Sequence, residues 1–306
     1  MAPRKKLIRP LSERTGGVFV VSEREKRLGV FFVFVAAVLY SIGGLCIKLI
    51  PWHGMSINSG RNLVALLVIG GYLALTRHRP RWNRWIAVGT VCVSGCTILY
   101  SVANKMTAAA NVIVLQFTAP IFVMLFAALI WRRRPDKLDV AACVVVLLGV
   151  ACFFVESLES GDMLGNFLSL LSGAMYAVVF LLEDFPDCDP ISAIFWGSAV
   201  SALTGLPFLL RETEFTPTAV TSLIVLGAFQ VGVAFILLTI GLKTTPAVTA
   251  SLVSGIEPVL NPILVAVFYH ETIGPLSLLG AVIVVAGVVG YNVLRARNRE
   301  AVPAEK

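Results

Sequence analysis

The chain has 306 residues, 57% of them hydrophobic and only 14% charged, and its mean hydropathy is +0.86. A water-soluble fold of this size needs far more polar surface, so lipid is the solvent that fits. The formal net charge of +7 could suggest nucleic acid, but the basic residues sit in short clusters between apolar runs without aromatic interleaving, so orientation in a membrane explains them instead.

The chain starts with a basic, polar segment, residues 1–27, carrying Arg4, Lys5, Lys6, Arg9, Arg14, Arg24, Lys26 and Arg27. The apolar run that follows, Leu28 to Ile50, is longer than a signal-peptide core and long enough to span a bilayer, so it reads as a retained first helix. Apolar runs then recur to the C-terminus. With the first they fall at 29–50, 57–76, 85–104, 107–131, 138–156, 163–182, 190–210, 217–240, 246–269 and 275–294. They are too long for barrel strands and lack period-two alternation. Backbone groups in lipid must pair within their own segment, so the expectation is an all-α membrane protein of ten transmembrane helices. The weakest break is near Asn104-Lys105.

Lys and Arg set the orientation. With the N-terminus in the cytoplasm, most of the 25 basic residues fall inside: the N-terminal segment, Arg77, Arg79, Arg81 and Arg84, then Arg132, Arg133, Arg134 and Lys137, then Lys243, and finally Arg295, Arg297, Arg299 and Lys306. Lys105 and Arg211 remain outside. An acidic connection, Glu183, Asp184, Asp187 and Asp189, is placed inside. Both chain ends are then cytoplasmic, in a bacterial inner membrane.

An internal repeat underlies the ten runs. Shifted by 138 positions, residues 105–150 overlay 243–288 without a gap: Lys105 meets Lys243, Pro120 meets Pro258, and Gly149 meets Gly287. Five helices per copy is an odd number, so the second copy must be inverted. Its charges agree: Arg132-Arg133-Arg134 becomes His270-Glu271-Thr272, as a loop moved outside should. The organisation is a first repeat at 28–158, a second at 159–294, and a tail at 295–306. Inverted repeats in one chain are a recurrent transporter architecture, with the substrate near the midplane.

Polar residues inside the runs are the candidate site. Glu257 lies mid-span, where a carboxylate costs about 2.5–3.5 kcal/mol or more. Ser254, Glu257 and Asn261 follow i, i+3, i+7 and should share a face. Glu257 reads as a substrate or proton site, or as a carboxyl that only positions its helix. Pro120 and Pro258 cannot bond the carbonyls of Gln116 and Ser254, so both helices should kink at equivalent places, and Pro262 adds a second break. Such kinks line a pathway or are static packing features. Arg61 can pair with substrate or snorkel to the interface; Lys48, nearer the surface, reads as snorkelling. Gln230 can bind substrate or link helices. Tyr40, Tyr100, Tyr176 and Trp196 can form an aromatic wall for a planar ligand, or pack. The Cys92–Cys96 pair reads as packing, and the spacing of the six cysteines suits no metal. No cofactor is expected.

Tyr40-Ser41-Ile42-Gly43 with Lys48, Arg61, Gly241-Leu242-Lys243, Glu257-Pro258-Val259-Leu260-Asn261-Pro262, and His270-Glu271 with Gly280 and Gly287 together resemble the EamA family of the drug/metabolite transporter superfamily. The resemblance covers 28–294 and is most specific over 241–290. It implies ten helices in two inverted repeats, alternating access, and a central cavity near helices 3, 4, 8 and 9, with 5 and 10 peripheral. Members mostly export amino acids, other metabolites or toxic compounds. Two positions depart from the pattern: Arg133 stands where an acidic residue is usual, and Tyr40 where Trp often precedes Gly.

The expectation is a secondary transporter that exports a small metabolite, an amino acid or related compound, with protons as candidate coupling ion and membrane lipid as surroundings. Efflux of drug-like or cationic compounds is the alternative. An enzyme is disfavoured because His53, His78 and His270 lie near loops and no clustered acid, base or nucleophile appears. A channel or non-transporting membrane protein is disfavoured because polar groups are sparse. Monomer and dimer stay open.

Overall fold

The computed structural model describes residues 14–15, 18–19, 22–107, 109–157, 163–269 and 275–300. Outside these lie the basic residues Arg4, Lys5, Lys6 and Arg9, the 158/159 repeat boundary, the pair His270-Glu271, and Lys306; the side chain of Pro262 is likewise outside the description.

Helices stand at every one of the ten apolar runs. They are α1 (Glu23–Tyr40), α2 (Gly43–Leu49), α3 (Gly54–Thr76), α4 (Arg84–Met106), α5 (Ala109–Gln116), α6 (Ala119–Trp131), α7 (Lys137–Ser157), α8 (Met163–Phe180), α9 (Pro190–Leu209), α10 (Pro217–Val225), α11 (Ala234–Leu242), α12 (Ala247–Val253), α13 (Glu257–Tyr269) and α14 (Pro275–Glu300). A π-helical stretch, Leu226–Val233, joins α10 to α11, and a 3₁₀ turn, Ser254–Ile256, joins α12 to α13. A two-residue antiparallel pairing, Arg14–Thr15 with Val18–Phe19, is a small addition to the all-α expectation. The weak break near Asn104-Lys105 falls at Thr107, just beyond α4.

Local chemistry sets the ends. Ser22 accepts from the Glu25 amide while the Glu25 carboxylate accepts from Ser22, a reciprocal cap that starts α1. Asn83 caps α4 by accepting from the amides of Trp85 and Ile86. Arg77 and Arg132, at φ 54° and 53°, end α3 and α6 in the left-handed conformation.

Among the described residues, seven helical stretches are long and apolar enough to cross a membrane: Glu23–Leu49, Gly54–Thr76, Arg84–Met106, Met163–Phe180, Pro190–Leu209, Pro217–Leu242 and Ala247–Phe268. Ala119–Trp131 is a shorter apolar helix. Large apolar side chains such as Leu67, Leu75, Leu129, Leu148 and Leu203 face outward. Water would oppose that surface; acyl chains accept it.

The interior holds polar side chains that bind helices together. Thr97 and Ser201 share a hydrogen bond of 2.8 Å, and Ser59 donates to the Ala202 carbonyl at 2.7 Å, so α3, α4 and α9 form one block. In lipid such bonds replace the hydrophobic effect as glue between helices. Helices α7 and α14 pack on each other, and Val144, Val145, Val155, Val282 and Val289 face out from the pair.

Two clusters of contacts mark the ends of the bundle. At one, Arg133 pairs with Asp184 at 2.9 Å, His78 meets Asp189 at 2.7 Å, and Thr244 donates to the Glu25 carbonyl. The basic connections and the acidic one thus share an end. At the other, Trp52 donates to the Glu214 carbonyl and packs on Phe215, His53 stacks on Phe208, and Lys105 donates to the Ile50 carbonyl.

Candidate functional site

A small cavity of about 30 Å³ lies at the centre. Its wall is built by Tyr40, Arg61, Cys96, Thr97, Tyr100, Gln116, Tyr176, Gln230, Val231, Phe235 and Glu257. Six of the eight residues expected in a substrate site are there: Glu257, Gln116, Gln230, Tyr40, Tyr176 and Arg61.

Broken helices aim these side chains. Pro120 has no N–H for the Gln116 carbonyl, and the chain turns at Phe117-Thr118, where the Thr118 hydroxyl donates to the Leu115 carbonyl at 2.7 Å. Pro258 does the same to the Ser254 carbonyl, and the break there is the 3₁₀ turn Ser254–Ile256. The two breaks correspond under the 138-residue shift. Gln116 thereby ends α5 and Glu257 begins α13, both facing the cavity. Pro262 lies inside α13, which continues to Tyr269.

A third interruption falls between α1 and α2. Asn261 Nδ2 donates to the Ser41 carbonyl at 2.6 Å and holds that turn. Glycine at 43 and 44 is what permits the approach. A Cβ on Gly43 would sit 2.9 Å from the Tyr100 hydroxyl, and one on Gly44 would collide with the Asn261 amide.

Arg61 is 1% exposed. Its Nη2 donates to the Thr97 carbonyl at 2.8 Å, its Nη1 donates to Gln230 Oε1 at 3.3 Å, and its Nε has no partner among the described residues. The guanidinium lies 5.6 Å from the centre of the Tyr100 ring, within cation–π range. Snorkelling to the interface is thereby overturned: the nearest acceptors are inside, and the side chain follows them. Glu257 is 6% exposed. Among the described residues Arg61 and Glu257 form no salt bridge with each other or with any third group.

Gln230 sits in the π-helical stretch. The wider turn leaves backbone unpaired in the usual register, and such bulges recur at functional sites. Gln116 Nε2 donates to Ser172 at 2.7 Å, and Ser172 donates to the Cys96 carbonyl at 3.1 Å. Tyr40 meets Tyr176 edge-on at 6.0 Å and Phe235 at 5.7 Å. The hydroxyls of Tyr40, Tyr100 and Tyr176 are buried without a partner among the described residues.

Three expectations need correction. Ser254 does not line the cavity: its hydroxyl donates back to the Ala250 carbonyl at 3.1 Å. Asn261 acts on the α1–α2 turn rather than on the cavity. Of the two readings for Trp196, packing is the one seen: it donates to the Arg81 carbonyl and packs on Trp82 at the basic end. Cys96, read as packing, lines the cavity. Lys48 donates to the Thr107 carbonyl at 3.3 Å, near the opposite end. Thr97 and Phe235 line the cavity as well, outside the expected set. A signal for α4 was available: Thr90, Ser94, Thr97, Ser101 and Asn104 recur at helical spacing, and all are buried.

This is a multi-pass helical membrane protein with a polar cavity at its centre. The sequence profile of the EamA-like transporter family matches it twice, over residues 27–155 and 163–293. The chain belongs to that family. Among curated relatives, the "Uncharacterized transporter YwfM" of Bacillus subtilis is 25% identical over 90% of this chain and 96% of its own. The "Uncharacterized inner membrane transporter YicL" of Salmonella typhimurium is 22% identical over 85% and 95%. The "Probable terminal-alkyne amino-acid exporter" of Streptantibioticus cattleyicolor is 24% identical over 75% and 80%. A crystal structure 20% identical in sequence superposes with a TM-score of 0.70, covering 89% of this chain and 99% of the other, which shows a shared fold.

Proposed function

We propose that the chain is a secondary active transporter that exports a zwitterionic metabolite, an amino acid or a related compound, across the bacterial inner membrane by alternating access. Ten helices cross the bilayer as two inverted repeats, 28–158 and 159–294. The basic segment 1–27 and the tail 295–306 are cytoplasmic.

One observation carries this reading: a buried cation and a buried carboxyl line one cavity without pairing. Isolated buried charge is expensive, and sequences keep it where a ligand completes it. Arg61 offers a planar fork for a carboxylate. Glu257 accepts an ammonium group, or the proton that replaces it, so proton and solute compete for one carboxyl. The tyrosine hydroxyls supply further donors. Efflux of a lone organic cation fits less well, since Arg61 would repel it inside the same wall.

About 30 Å³ holds one or two waters and lies far below the roughly 300–1,000 Å³ of ligand sites. Admission of a solute therefore requires the walls to move. The breaks before Pro120 and Pro258 are natural hinges, because each already lacks a helical hydrogen bond. Contacts among Trp52, Phe215, His53 and Phe208 close the end away from the basic connections, so this geometry is the one shut to the outside.

Proteoliposomes under an imposed pH gradient test the proposal. Accumulation of labelled amino acids supports it. Accumulation of drug-like cations alone would favour the alternative, and movement of neither would reject transport.

A further inference from the structure

A second cavity, of about 560 Å³, opens at the basic end of the bundle. Its wall carries Lys26, Arg133, Arg134 and Lys243, together with the carboxylates of Asp139, Glu183 and Asp184. Some of these charges are already satisfied. Arg133 pairs with Asp184 at 2.9 Å, Lys26 with Glu23 at 2.6 Å, and Asp139 accepts from the Tyr291 hydroxyl at 2.8 Å. Arg134 and Lys243 enter no salt bridge among the described residues. They come from different parts of the chain, the connection after α6 and the connection after α11, so the fold brings two cations outside any salt bridge to one wall, Lys243 within electrostatic reach of Glu183.

The two cavities are close along α8. Tyr176 lines the central one, while Phe180, one turn further, lines the second. The Tyr176 and Phe180 rings lie 4.7 Å apart. Tyr176 also packs on Tyr40, which packs on Phe235. Phe180 is 1% exposed, so its ring is the part of this aromatic row in contact with both the second cavity and a wall residue of the first. Its volume falls within the range of small-molecule sites.

We propose that the second cavity is a loading site for a carboxylate-bearing solute, held by Arg134 and Lys243, and that Phe180 is the gate between it and the central cavity. The proposal rests on the transport reading, since a loading site has a purpose only where a solute moves on. A solute bound there is one gate away from Arg61, the next cation on the path. Anion attraction by clustered cations raises local concentration and on-rate, so the effect belongs in the rate of delivery.

Cys96 is a native reporter of the central cavity. In a variant with the other five cysteines changed to alanine, its modification is timed by mass spectrometry in micelles. The probes are an anionic and a cationic methanethiosulfonate of similar size. Phe180→Ala is expected to raise both rates about tenfold, equal to about 1.4 kcal/mol of gate closure. Phe180→Leu, which keeps an apolar plug, should give a smaller rise, and Phe180→Trp a decrease. Changing Arg134 and Lys243 together to Gln should lower the ratio of anionic to cationic rate about fivefold, more at low salt than at high. Rates indifferent to residue 180, or a ratio unmoved by the double change, would overturn the proposal even if the protein transports solute. If the rates follow the expected pattern while no solute crosses proteoliposomes, the path and its gate stand and the transport reading falls.

Discussion

Replacing Arg61 by methionine separates a residue that binds solute from one that merely holds helices together. Methionine fills much of the same volume with no charge. Two hydrogen bonds are lost, to the Thr97 carbonyl and to Gln230 Oε1. The Thr97 carbonyl is not orphaned, because Ser101 also donates to it at 3.0 Å. Gln230 Oε1 loses its Arg61 partner, which costs about 1–3 kcal/mol. Against this, removal of a buried guanidinium relieves a desolvation penalty of several kcal/mol. The net change in fold stability is therefore small, within about 2 kcal/mol in either direction. The binding change is larger. A carboxylate held by two charge-assisted bonds loses about 3–6 kcal/mol, or roughly a hundred- to ten-thousandfold in affinity. Equilibrium binding of a labelled amino acid, paired with thermal unfolding of the same preparation, measures both. Arg61→Lys, which keeps the charge but not the fork, should fall between. The reasoning fails if Arg61→Met binds as tightly as the native chain while losing more than about 4 kcal/mol of stability.

Three further outcomes follow from the same geometry. Gly44→Ala should destabilise the fold by about 1–3 kcal/mol, because the new methyl group meets the Asn261 amide that holds the α1–α2 turn; a thermal shift shows it, and Gly70→Ala, where a Cβ meets nothing, is the control. Burial pushes the Cys188 thiol up to about 12, with Asp189 and Glu183 adding to the rise. Its maleimide labelling at neutral pH should be about a thousandfold slower than that of an ordinary thiol and should still be climbing above pH 10, since the thiolate fraction grows until pH passes the thiol's own pKa. Reporter fusions at the two chain ends should both read cytoplasmic; ends on opposite sides would refute an even number of crossings.

Composition carried the class, because an apolar majority has only one compatible solvent. The prolines carried the helix breaks: Pro120 and Pro258 announce missing hydrogen bonds wherever they occur in a helix, and the structure interrupts both helices just before them. The π-helical stretch around Gln230 was not legible, since no residue type forces it; it arises from packing against α3, where Gly227 lies close under the Arg61 carbonyl. Ser254 and Asn261 have the spacing of a shared face with Glu257 yet bond elsewhere, to the Ala250 and Ser41 carbonyls. Spacing fixes the face of a helix, not the partner a side chain finds there. Arg61 was ambiguous because a long side chain five or so residues into a helix can reach either water or the interior, and only the position of the Thr97 carbonyl and Gln230 decides. Trp196 could not be placed from sequence at all, because the face of α9 it occupies depends on how α9 docks against α4.

Exchange measured in proteoliposomes tests the central claim most directly. Vesicles loaded with an unlabelled amino acid are given the labelled one outside, using the native chain and an Arg61→Met, Glu257→Gln double variant of equal monodispersity. The account predicts label uptake above empty vesicles for the native chain and none for the double variant. Equal uptake by both, or none by either across an amino-acid panel, would contradict a solute path through the Arg61–Glu257 cavity.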